Sequence, residues 1–344
     1  MNLKYLQIFI FIILPCVVKS QTAAPKQVIE NLIFEGAGIR GIAYCGALME
    51  LDELGYLAEV KRVGGTSSGA ITASLLSVGF TPGEIYQIIG TTDFGKFNDG
   101  KLGFIGGIYR TKKYLGWYKG DRFLQWLEEL ITQKIGSADI TFKELSNQAK
   151  TSTQFKELLI AATSLNHQQT ILFDVQTYPE MRIADAVRAS MAVPLYFEPV
   201  IINHRGQVVE QKHMKKSDHI CVDGGFIANF CIQAYDNKSA TDGLKTGATL
   251  GLRIDSNEQI NNDKGDKSLA YQGIRSPADF IKALYYITKE TMNRQPLTEE
   301  DWQRTVSISD SDIGPKVKKL SEKQKQKLIS SGRTGVKIYF EKHR

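Results

Sequence analysis

Two glycine motifs near the start of the chain constrain its fold more than any other sequence feature. Residues 36–41 read GAGIRG, and residues 65–69 read GTSSG. Each motif follows a short apolar run typical of a strand and leads into a segment with helical periodicity. Strands that alternate with helices predict an α/β fold with a largely parallel sheet covered on both faces.

The alternation of strands and helices continues along most of the chain. Strands are predicted at residues 28–34, 60–63, 158–163, 170–173, 200–202, 219–222 and 248–254. Helices are predicted at residues 39–57, 70–79, 121–135, 183–190 and 278–292, with a further helix that begins at Pro82 after Thr81 as its N-cap. Residues 255–276 are polar and predict a loop. Because no repeat or Pro/Gly/Ser-rich linker divides the chain, we expect one domain.

Residues 1–20 differ from the rest of the chain. Lys4 precedes an almost unbroken apolar run at residues 6–18, and the small residue Ser20 suits a cleavage site. This pattern predicts a secretory signal peptide, because the apolar run is shorter than the roughly 20 residues of a spanning helix. The protein is then secreted or extracytoplasmic. The alternative is a membrane anchor formed by the uncleaved segment.

Composition and charge narrow the classes of function. With 42% hydrophobic and 23% charged residues, the chain has ordinary globular composition. Its net charge of +6 comes without a dense Lys/Arg block, which is compatible with anionic lipid surfaces and gives no support to nucleic-acid binding. Beyond residue 20 the cysteines are Cys45, Cys221 and Cys231, whose odd number and spacing suit neither a disulfide framework nor zinc. We expect them to be small buried apolar residues, and we predict no metal site.

Ser67, at the centre of the second motif, is the candidate nucleophile. Flanking glycines let a serine on a sharp strand-to-helix turn adopt a strained backbone, and the helix N-terminus stabilises developing negative charge. The five-residue pattern also describes a glycine turn with a capping serine, but the strand before it and the helix after it favour a nucleophile. Ser68 is the competing hydroxyl and lies off the centre of the motif.

Residues 36–41 allow two interpretations. G-x-G-x-x-G between a strand and a helix is a dinucleotide-binding fingerprint, which also requires an acid at the end of the next strand. Here Asp52 and Glu53 fall within the predicted helix and the next strand ends in glycines, so this interpretation is the weaker one. Alternatively, backbone N–H groups in the loop form an oxyanion hole, where each donor lowers the barrier by roughly 3 kcal/mol. Arg40 holds that loop or attracts a phosphate head group, or it is a packing residue at a helix start.

A nucleophilic serine needs a base, and the chain offers a histidine or an aspartate. Ser67, Asp223 and His343 follow the order of an α/β-hydrolase triad, but His343 lies one residue from the chain end, where geometry is poorly held. Asp223 ends a predicted strand and precedes two glycines. Desolvation would raise its pKa above the roughly 3.9 of a free side chain and let it accept a proton. The dipeptide Asp-Gly is also a common turn.

Together these motifs resemble those of the patatin-like phospholipases. The family's oxyanion loop, Gly-x-Ser-x-Gly motif, Asp-Gly-Gly motif and the segment before its Pro-x-x-Phe turn are similar to residues 36–41, 65–69, 223–225 and 188–194, and the turn itself to residues 194–197. The order and spacing agree. The resemblance implies a family domain over residues 28–335, preceded by a spacer at 21–27 and followed by a C-terminal tail at 336–344.

The resemblance also implies the chemistry. It implies a three-layer α/β/α fold with a mainly parallel central sheet and a lipid acyl hydrolase that uses Ser67 and Asp223 without a histidine, metal or cofactor. The oxyanion hole is then Gly36, Ala37, Gly38, Ile39, Arg40 and Gly41, and the supporting motif residues are Gly65, Gly69, Gly224 and Gly225. Many members have glycine at the position of Ala37, whose methyl group is tolerated if φ is negative.

The sequence also points to partners of the protein and to alternative functions. Residues 94–119, where aromatic residues are interleaved with lysines, are a candidate contact with a lipid surface, or an ordinary lid packed on the core. An activating partner is compatible with the resemblance, and Asn237 begins a glycosylation acceptor sequence. The alternatives to the dyad enzyme are an inactive lipid-binding protein on the same fold and an esterase with a histidine triad.

Overall fold

The computed structural model describes residues 28–100, 103–236, 248–314 and 319–343. The predicted signal peptide, the spacer and Asn237 lie outside the described residues. Within these ranges, no helix could span a lipid bilayer, on grounds of length and apolar content.

A mixed sheet of eight strands forms the centre of the molecule. Its strands are β1 (Asn31–Phe34), β2 (Arg62–Thr66), β4 (Glu157–Ser164), β5 (Gln169–Phe173), β7 (Val200–Ile202), β8 (His219–Asp223), β9 (Thr249–Asp255) and β10 (Thr305–Ser309), and a separate pair is β3 (Gly116–Tyr118) and β6 (Leu195–Phe197). The order is β10-β9-β1-β2-β4-β8-β7, with β5 also alongside β4. The five strands from β10 to β4 are parallel. As predicted, the sheet is mainly parallel.

Eleven helices flank the sheet within the described ranges. They are α1 (Ala43–Glu53), α2 (Ser68–Ser77), α3 (Pro82–Thr91), α4 (Gly103–Tyr114), α5 (Asp121–Ile135), α6 (Phe142–Thr151), α7 (Ile183–Ser190), α8 (Asn257–Lys264), α9 (Pro277–Arg294), α10 (Glu299–Gln303) and α11 (Glu322–Lys342). The start of α3 follows the sequence prediction: the Thr81 hydroxyl accepts a hydrogen bond from the Glu84 N–H, and Pro82 occupies the first turn, where a missing N–H does no harm.

Strand β4 positions the functional groups because it pairs with two other strands along one edge. Its residue Ala161 pairs with Thr66 of β2, and the next residue, Ala162, pairs with Asp223 of β8. The opposite edge of this part of β4 is occupied by β5. Since β2 runs parallel to β4 and β8 runs antiparallel, the carboxyl ends of β2 and β8 meet.

Several elements were not predicted from the sequence. Helix α8 lies within the predicted loop at residues 255–276, and α4 and β3 lie within the aromatic and lysine-rich segment. Strand β10 and helices α6, α10 and α11 are further additions. The predicted start of a C-terminal tail, residue 336, falls within α11, and Val336 is fully buried.

Helix α11 escapes sequence analysis because its packing depends on a partner far away in the chain. It lies against α1 so closely that a Cβ at Gly46 would overlap the carbonyl group of Ile329, and a Cβ at Gly332 would overlap that of Ala43. Two glycines nearly 300 positions apart thus permit one helix crossing. The hydrophobic periodicity of either helix alone does not predict this contact.

Candidate active site

Ser67 lies at the turn between β2 and α2, in a backbone conformation with φ 54° and ψ −121°. This left-handed region is costly for a residue with a side chain, and such strain is typical of a nucleophile on a strand-to-helix turn. Gly65 and Gly69 make the turn possible: a Cβ at Gly65 would lie 2.5 Å from the backbone of Gly69, and one at Gly69 would overlap the Phe34 carbonyl. The motif therefore has a steric requirement at both glycines.

The Ser67 hydroxyl donates a hydrogen bond of 2.7 Å to Oδ2 of Asp223. This contact exists because Thr66 and Asp223 pair with consecutive residues of β4, which places the residue after Thr66 beside the end of β8. Gly224 allows the close approach, since a Cβ there would lie 2.5 Å from the Ala161 carbonyl oxygen. The structure thus places within hydrogen-bond distance the two residues that the sequence analysis proposed as nucleophile and base.

Asp223 is held so that one oxygen remains for Ser67. Its Oδ1 accepts a hydrogen bond of 2.7 Å from the Gly225 N–H. Burial raises the pKa of Asp223, and the hydrogen bonds from Ser67 and Gly225 oppose that rise only in part. A carboxylate with a raised pKa is a better proton acceptor than an ordinary aspartate.

The raised pKa of Asp223 predicts a pH dependence. If Asp223 is the proton acceptor that the sequence analysis proposed, its protonation removes the base, and kcat/KM on a neutral, water-soluble acyl ester should fall as the pH decreases through this pKa. Because burial raises the pKa above the ordinary value of 3.8, the acidic limb of the profile should lie above that value. The measurement is kcat/KM against pH at constant ionic strength. An acidic limb at or below the ordinary aspartate value would contradict the prediction.

The end of helix α7 contacts Ser67, the candidate nucleophile, from a second side. The Ser67 N–H donates a hydrogen bond of 2.9 Å to the Ser190 hydroxyl, which in turn donates to the Ala161 carbonyl at 2.7 Å. The Met191 sulfur lies 3.7 Å from the Ser67 hydroxyl oxygen. Sequence reasoning singled out residues 188–194 by resemblance and did not assign these two roles, because they depend on how α7 packs against β4.

In the loop at residues 36–41, some backbone N–H groups donate hydrogen bonds within the protein, and others can donate to a ligand. The Gly36 N–H donates to the Asn229 carbonyl at 3.1 Å, and the Ala37 N–H donates to the Ser68 hydroxyl at 3.0 Å. A 3₁₀ helix starts at Gly38, and the first N–H groups of a helix have no intrahelical acceptor. The amides of Gly38 and Ile39 are therefore the candidate oxyanion donors, a narrower set than the six residues predicted.

The remaining features of this loop fit the same role. Ala37 has φ −130°, the negative value at which its methyl group is tolerated, and Gly38 has φ +58°, which favours glycine. Arg40 donates from Nε to the Ala37 carbonyl at 3.1 Å and pairs with Asp310 at 3.4 Å. This side chain braces the loop. At Gly41, a Cβ would lie 2.9 Å from the Ser68 side chain.

A buried ionic cluster lies beside the start of the loop at residues 36–41, because it includes Glu35. Arg253, 1% exposed, lies 3.3 Å from Glu35, 2.8 Å from Asp255 and 3.3 Å from Glu290. Burial raises the pKa of Glu35, whereas Arg253 and Arg294 lower that of Asp255 against the effect of burial. Arg253 therefore offsets the negative charge of three buried carboxyl groups, two of which also pair with Arg294.

Glu35 connects this ionic cluster to the loops of the candidate site. Its carboxyl oxygens accept hydrogen bonds from the Asn229 side chain at 3.0 Å and from the Ile254 N–H at 3.1 Å. The Asn229 side chain also donates to the Gly36 carbonyl at 3.0 Å. Glu35 and Asn229 thus tie the residues 36–41 to the segment that follows Asp223. No motif in the sequence analysis pointed to either residue.

An apolar pocket opens beside the Ser67 hydroxyl. Its walls are mostly aliphatic and aromatic, and they include Ile42, Ile71, Ile89, Phe97, Met191 and Phe197. The pocket together with its mouth encloses about 680 Å³. Gly38 and Ile39 also line it, so the candidate oxyanion donors, the hydroxyl and the apolar walls share one space. This arrangement suits a substrate with a long apolar chain next to a reacting carbonyl group.

The histidines lie apart from Ser67. His343 ends α11, where its ring stacks on Tyr339 and Nδ1 lies 2.7 Å from the Tyr339 carbonyl. His167 and His219 face each other near β4 and β8, and His219 contacts the buried Ser164 hydroxyl. Within the described ranges, no cluster of three His, Cys, Asp or Glu residues could hold a metal ion. Cys45 and Cys221 are buried, which raises the pKa of each thiol to about 12.

A family comparison agrees with this geometry. The model of a family described as patatin-like phospholipase matches residues 32–235. The chain belongs to the patatin-like phospholipase family. This membership confirms the resemblance predicted from the motifs.

Two relatives of this patatin-like protein illustrate the match. The uncharacterized protein YqhO of Bacillus subtilis is 26% identical over 90% of this chain and 97% of its own length. The probable lipid hydrolase 463L of Invertebrate iridescent virus 6 is 28% identical over 61% of this chain and 65% of its own length. Together with the family model, the viral relative supports a lipid ester hydrolase in general.

Solved structures show the same patatin-like fold. VipD from Legionella pneumophila has a TM-score of 0.58 at 16% identity, covering 93% of this chain and 68% of VipD. ExoU, in its complex with SpcU from Pseudomonas aeruginosa, has a TM-score of 0.55 at 18% identity, covering 92% of this chain and 52% of ExoU. At these identities the likeness concerns the fold alone. The predicted three-layer α/β/α fold is confirmed.

Proposed function

We propose that this protein is a phospholipase A or lysophospholipase that cleaves fatty-acyl esters through Ser67 and Asp223. The observation that carries the proposal is the 2.7 Å hydrogen bond between the two side chains at the mouth of an apolar pocket. Family membership supports lipid ester hydrolysis in general, and the geometry supplies a nucleophile, a base and amide donors in one place.

In the first half of the reaction, the Ser67 oxygen attacks the ester carbonyl while its proton passes to Asp223 Oδ2. The developing oxyanion is stabilised by the amides of Gly38 and Ile39 and by the N-terminus of α2. Collapse of the tetrahedral intermediate breaks the ester bond, and the leaving alcohol takes the proton from Asp223. The products of this half are an acyl-enzyme on Ser67 and a lysophospholipid or glycerophosphodiester.

In the second half, water attacks the acyl-enzyme and gives one proton to Asp223. The intermediate collapses, Ser67 recovers this proton, and the free fatty acid leaves. The apolar pocket holds the acyl chain throughout, and its Met191 and Phe197 walls exclude water from the chain.

We also propose that the enzyme is exported and works at a lipid surface. The predicted signal peptide supports export. Within residues 94–119, the structure supports both sequence interpretations for different parts: Phe97 is buried and lines the pocket, whereas Phe104 and Ile105 on α4 are 72% and 76% exposed. The exposed lysines 112 and 113 lie on the same helix, which fits contact with anionic head groups.

Mixed-chain phospholipids test the proposed activity. Mass spectrometry of the products should show free fatty acid and the matching lysophospholipid from wild-type protein, at least about 10³-fold faster than from a Ser67→Ala variant. Because such a phospholipid carries different acyl groups at its two ester positions, the products also reveal which position is cleaved. A fluorophosphonate probe should label Ser67 covalently. Without labelling and without products, the protein would be an inactive lipid-binding member of its family.

A further inference from the structure

Helix α9 presents four large apolar side chains to solvent and buries two polar side chains against the protein. Phe280, Ile281, Leu284 and Ile287 are 53%, 67%, 53% and 54% exposed. Their spacing of i, i+1, i+4 and i+7 places them along one face. On the inner face, Glu290 and Asn293 are each only 5% exposed. This distribution is the reverse of an ordinary surface helix.

The inner face is held in place by the catalytic loops. The Asn293 side chain accepts a hydrogen bond of 2.5 Å from the Asn229 N–H, and its Nδ2 lies 3.4 Å from the Gly225 carbonyl. Glu290 pairs with Arg253 at 3.3 Å and with Arg294 at 3.1 Å. Rotation of α9 to bury its apolar residues would break the contacts of Asn293 with Asn229 and Gly225 and the pair between Glu290 and Arg253. The contacts of the inner face therefore fix the rotation of α9 and keep its apolar face directed outward.

The inner face of α9 lies next to the candidate reaction centre. Gly225, which Asn293 contacts, also donates its N–H to the Asp223 carboxylate. The apolar surface continues before the helix with Tyr271 and Ile274, which are 80% and 53% exposed. The exposed cation Arg275 stands between them and α9. An apolar stripe with a cation at its end suits the head-group region of an anionic bilayer.

We propose that the outward face of α9, defined by Phe280, Ile281, Leu284 and Ile287, inserts into the surface of an anionic phospholipid bilayer. The choice of a lipid surface over a second copy or another protein rests on the proposed function, because a phospholipase must meet its substrate in a bilayer. The inner face then links this docking surface to the loop that holds Asp223. Insertion brings the catalytic loop to the lipid.

A matched pair of substitutions tests the proposal. Ile281→Gln removes an apolar side chain from the centre of the stripe, and Ile338→Gln is the control, because Ile338 on α11 has a similar exposure of 55%. Phe340, two residues after Ile338, stacks on Tyr56. Tyr56 lies before the amino end of β2, whereas Ser67 follows the carboxyl end of that strand. Glutamine keeps the helix propensity high at both positions.

The measurement is co-sedimentation with phosphatidylcholine vesicles that contain about 30% phosphatidylglycerol. A Ser67→Ala background prevents hydrolysis of the vesicles. Ile281→Gln should weaken the partition coefficient about threefold, and Ile281→Gln/Leu284→Gln about tenfold, whereas Ile338→Gln should leave it unchanged. The full chain and a chain from Gln21 are compared in parallel, so that any membrane affinity of residues 1–20 contributes equally to variant and reference.

Equal binding by all variants would overturn the proposal, and so would an equal loss in Ile338→Gln. A dimer that Ile281→Gln dissociates in size-exclusion chromatography would assign the face to a second copy instead. Hydrolysis of a water-soluble acyl ester by the wild-type protein separates the two proposals. If that hydrolysis is absent while the binding difference remains, the proposed activity fails and the docking surface stands.

Discussion

Replacing Ser67 by alanine, or Asp223 by asparagine, should lower kcat/KM for an acyl ester by at least about 10³-fold. The first change removes the atom that attacks the carbonyl group. The second removes the proton acceptor, because an amide oxygen in place of Oδ2 still accepts the Ser67 hydrogen bond and cannot take its proton. The two losses should not add in the double variant, since the side chains act as a unit. Steady-state kinetics with a chromogenic ester measure all three variants.

His343→Ala is the matched control, because it tests the histidine triad that the order of residues permits. His343 contacts Tyr339 at the end of α11, so this variant should retain its activity. A loss of activity as large as that of Ser67→Ala would indicate a histidine triad instead of the dyad. Full activity in Asp223→Asn would contradict the dyad.

Thermal unfolding distinguishes lost chemistry from lost folding in Asp223→Asn. Burial raises the pKa of Asp223, so the folded state binds a proton more tightly than the unfolded state, and the charged carboxylate weakens the fold above that pKa. Asparagine removes this charge. The variant should therefore unfold at an equal or higher temperature than wild type at neutral pH, and its advantage should shrink as the pH is lowered.

Replacing Arg253 by methionine should destabilise the protein by about 3–5 kcal/mol. Arg253 is 1% exposed and is the common partner of Glu35, Asp255 and Glu290. Its loss removes the cationic partner of Glu35 and leaves Asp255 and Glu290 paired with Arg294. The buried negative charge is then only partly compensated, so a carboxylate must either be protonated or draw water into the core. Chemical denaturation at neutral pH measures the free energy of unfolding, and the loss should be smaller at lower pH, where the carboxylates can bind protons.

Lys143→Met serves as the control for a surface ion pair. Lys143 and Glu180 lie 3.0 Å apart with side-chain exposures of 57% and 65%, so water already screens their interaction. This variant should unfold almost as wild type does. A similar stability of the Arg253 and Lys143 variants would show that the buried cluster does not hold the protein together.

The sequence by itself determined the parts of the site that depend on local geometry. A serine at φ 54° needs glycines on either side, and the loop before α1 needs Gly38 at φ +58°. These glycines therefore indicate the two turns without any knowledge of the tertiary structure. Alternating apolar runs and helical periodicity likewise predicted most of the sheet and its mainly parallel character. Residues 36–41, 65–69 and 223–225 together predicted the family.

Only the tertiary structure decided which of these groups meet and which atoms remain available. The 2.7 Å contact between Ser67 and Asp223 depends on β2 and β8 pairing with consecutive residues of β4, a register that no local pattern records. Ser68 and Asn229 occupy two loop amides from distant positions, which leaves those of Gly38 and Ile39. The orientation of α9 follows from the buried ionic cluster, because isolating charges in the interior costs more than exposing apolar side chains to water.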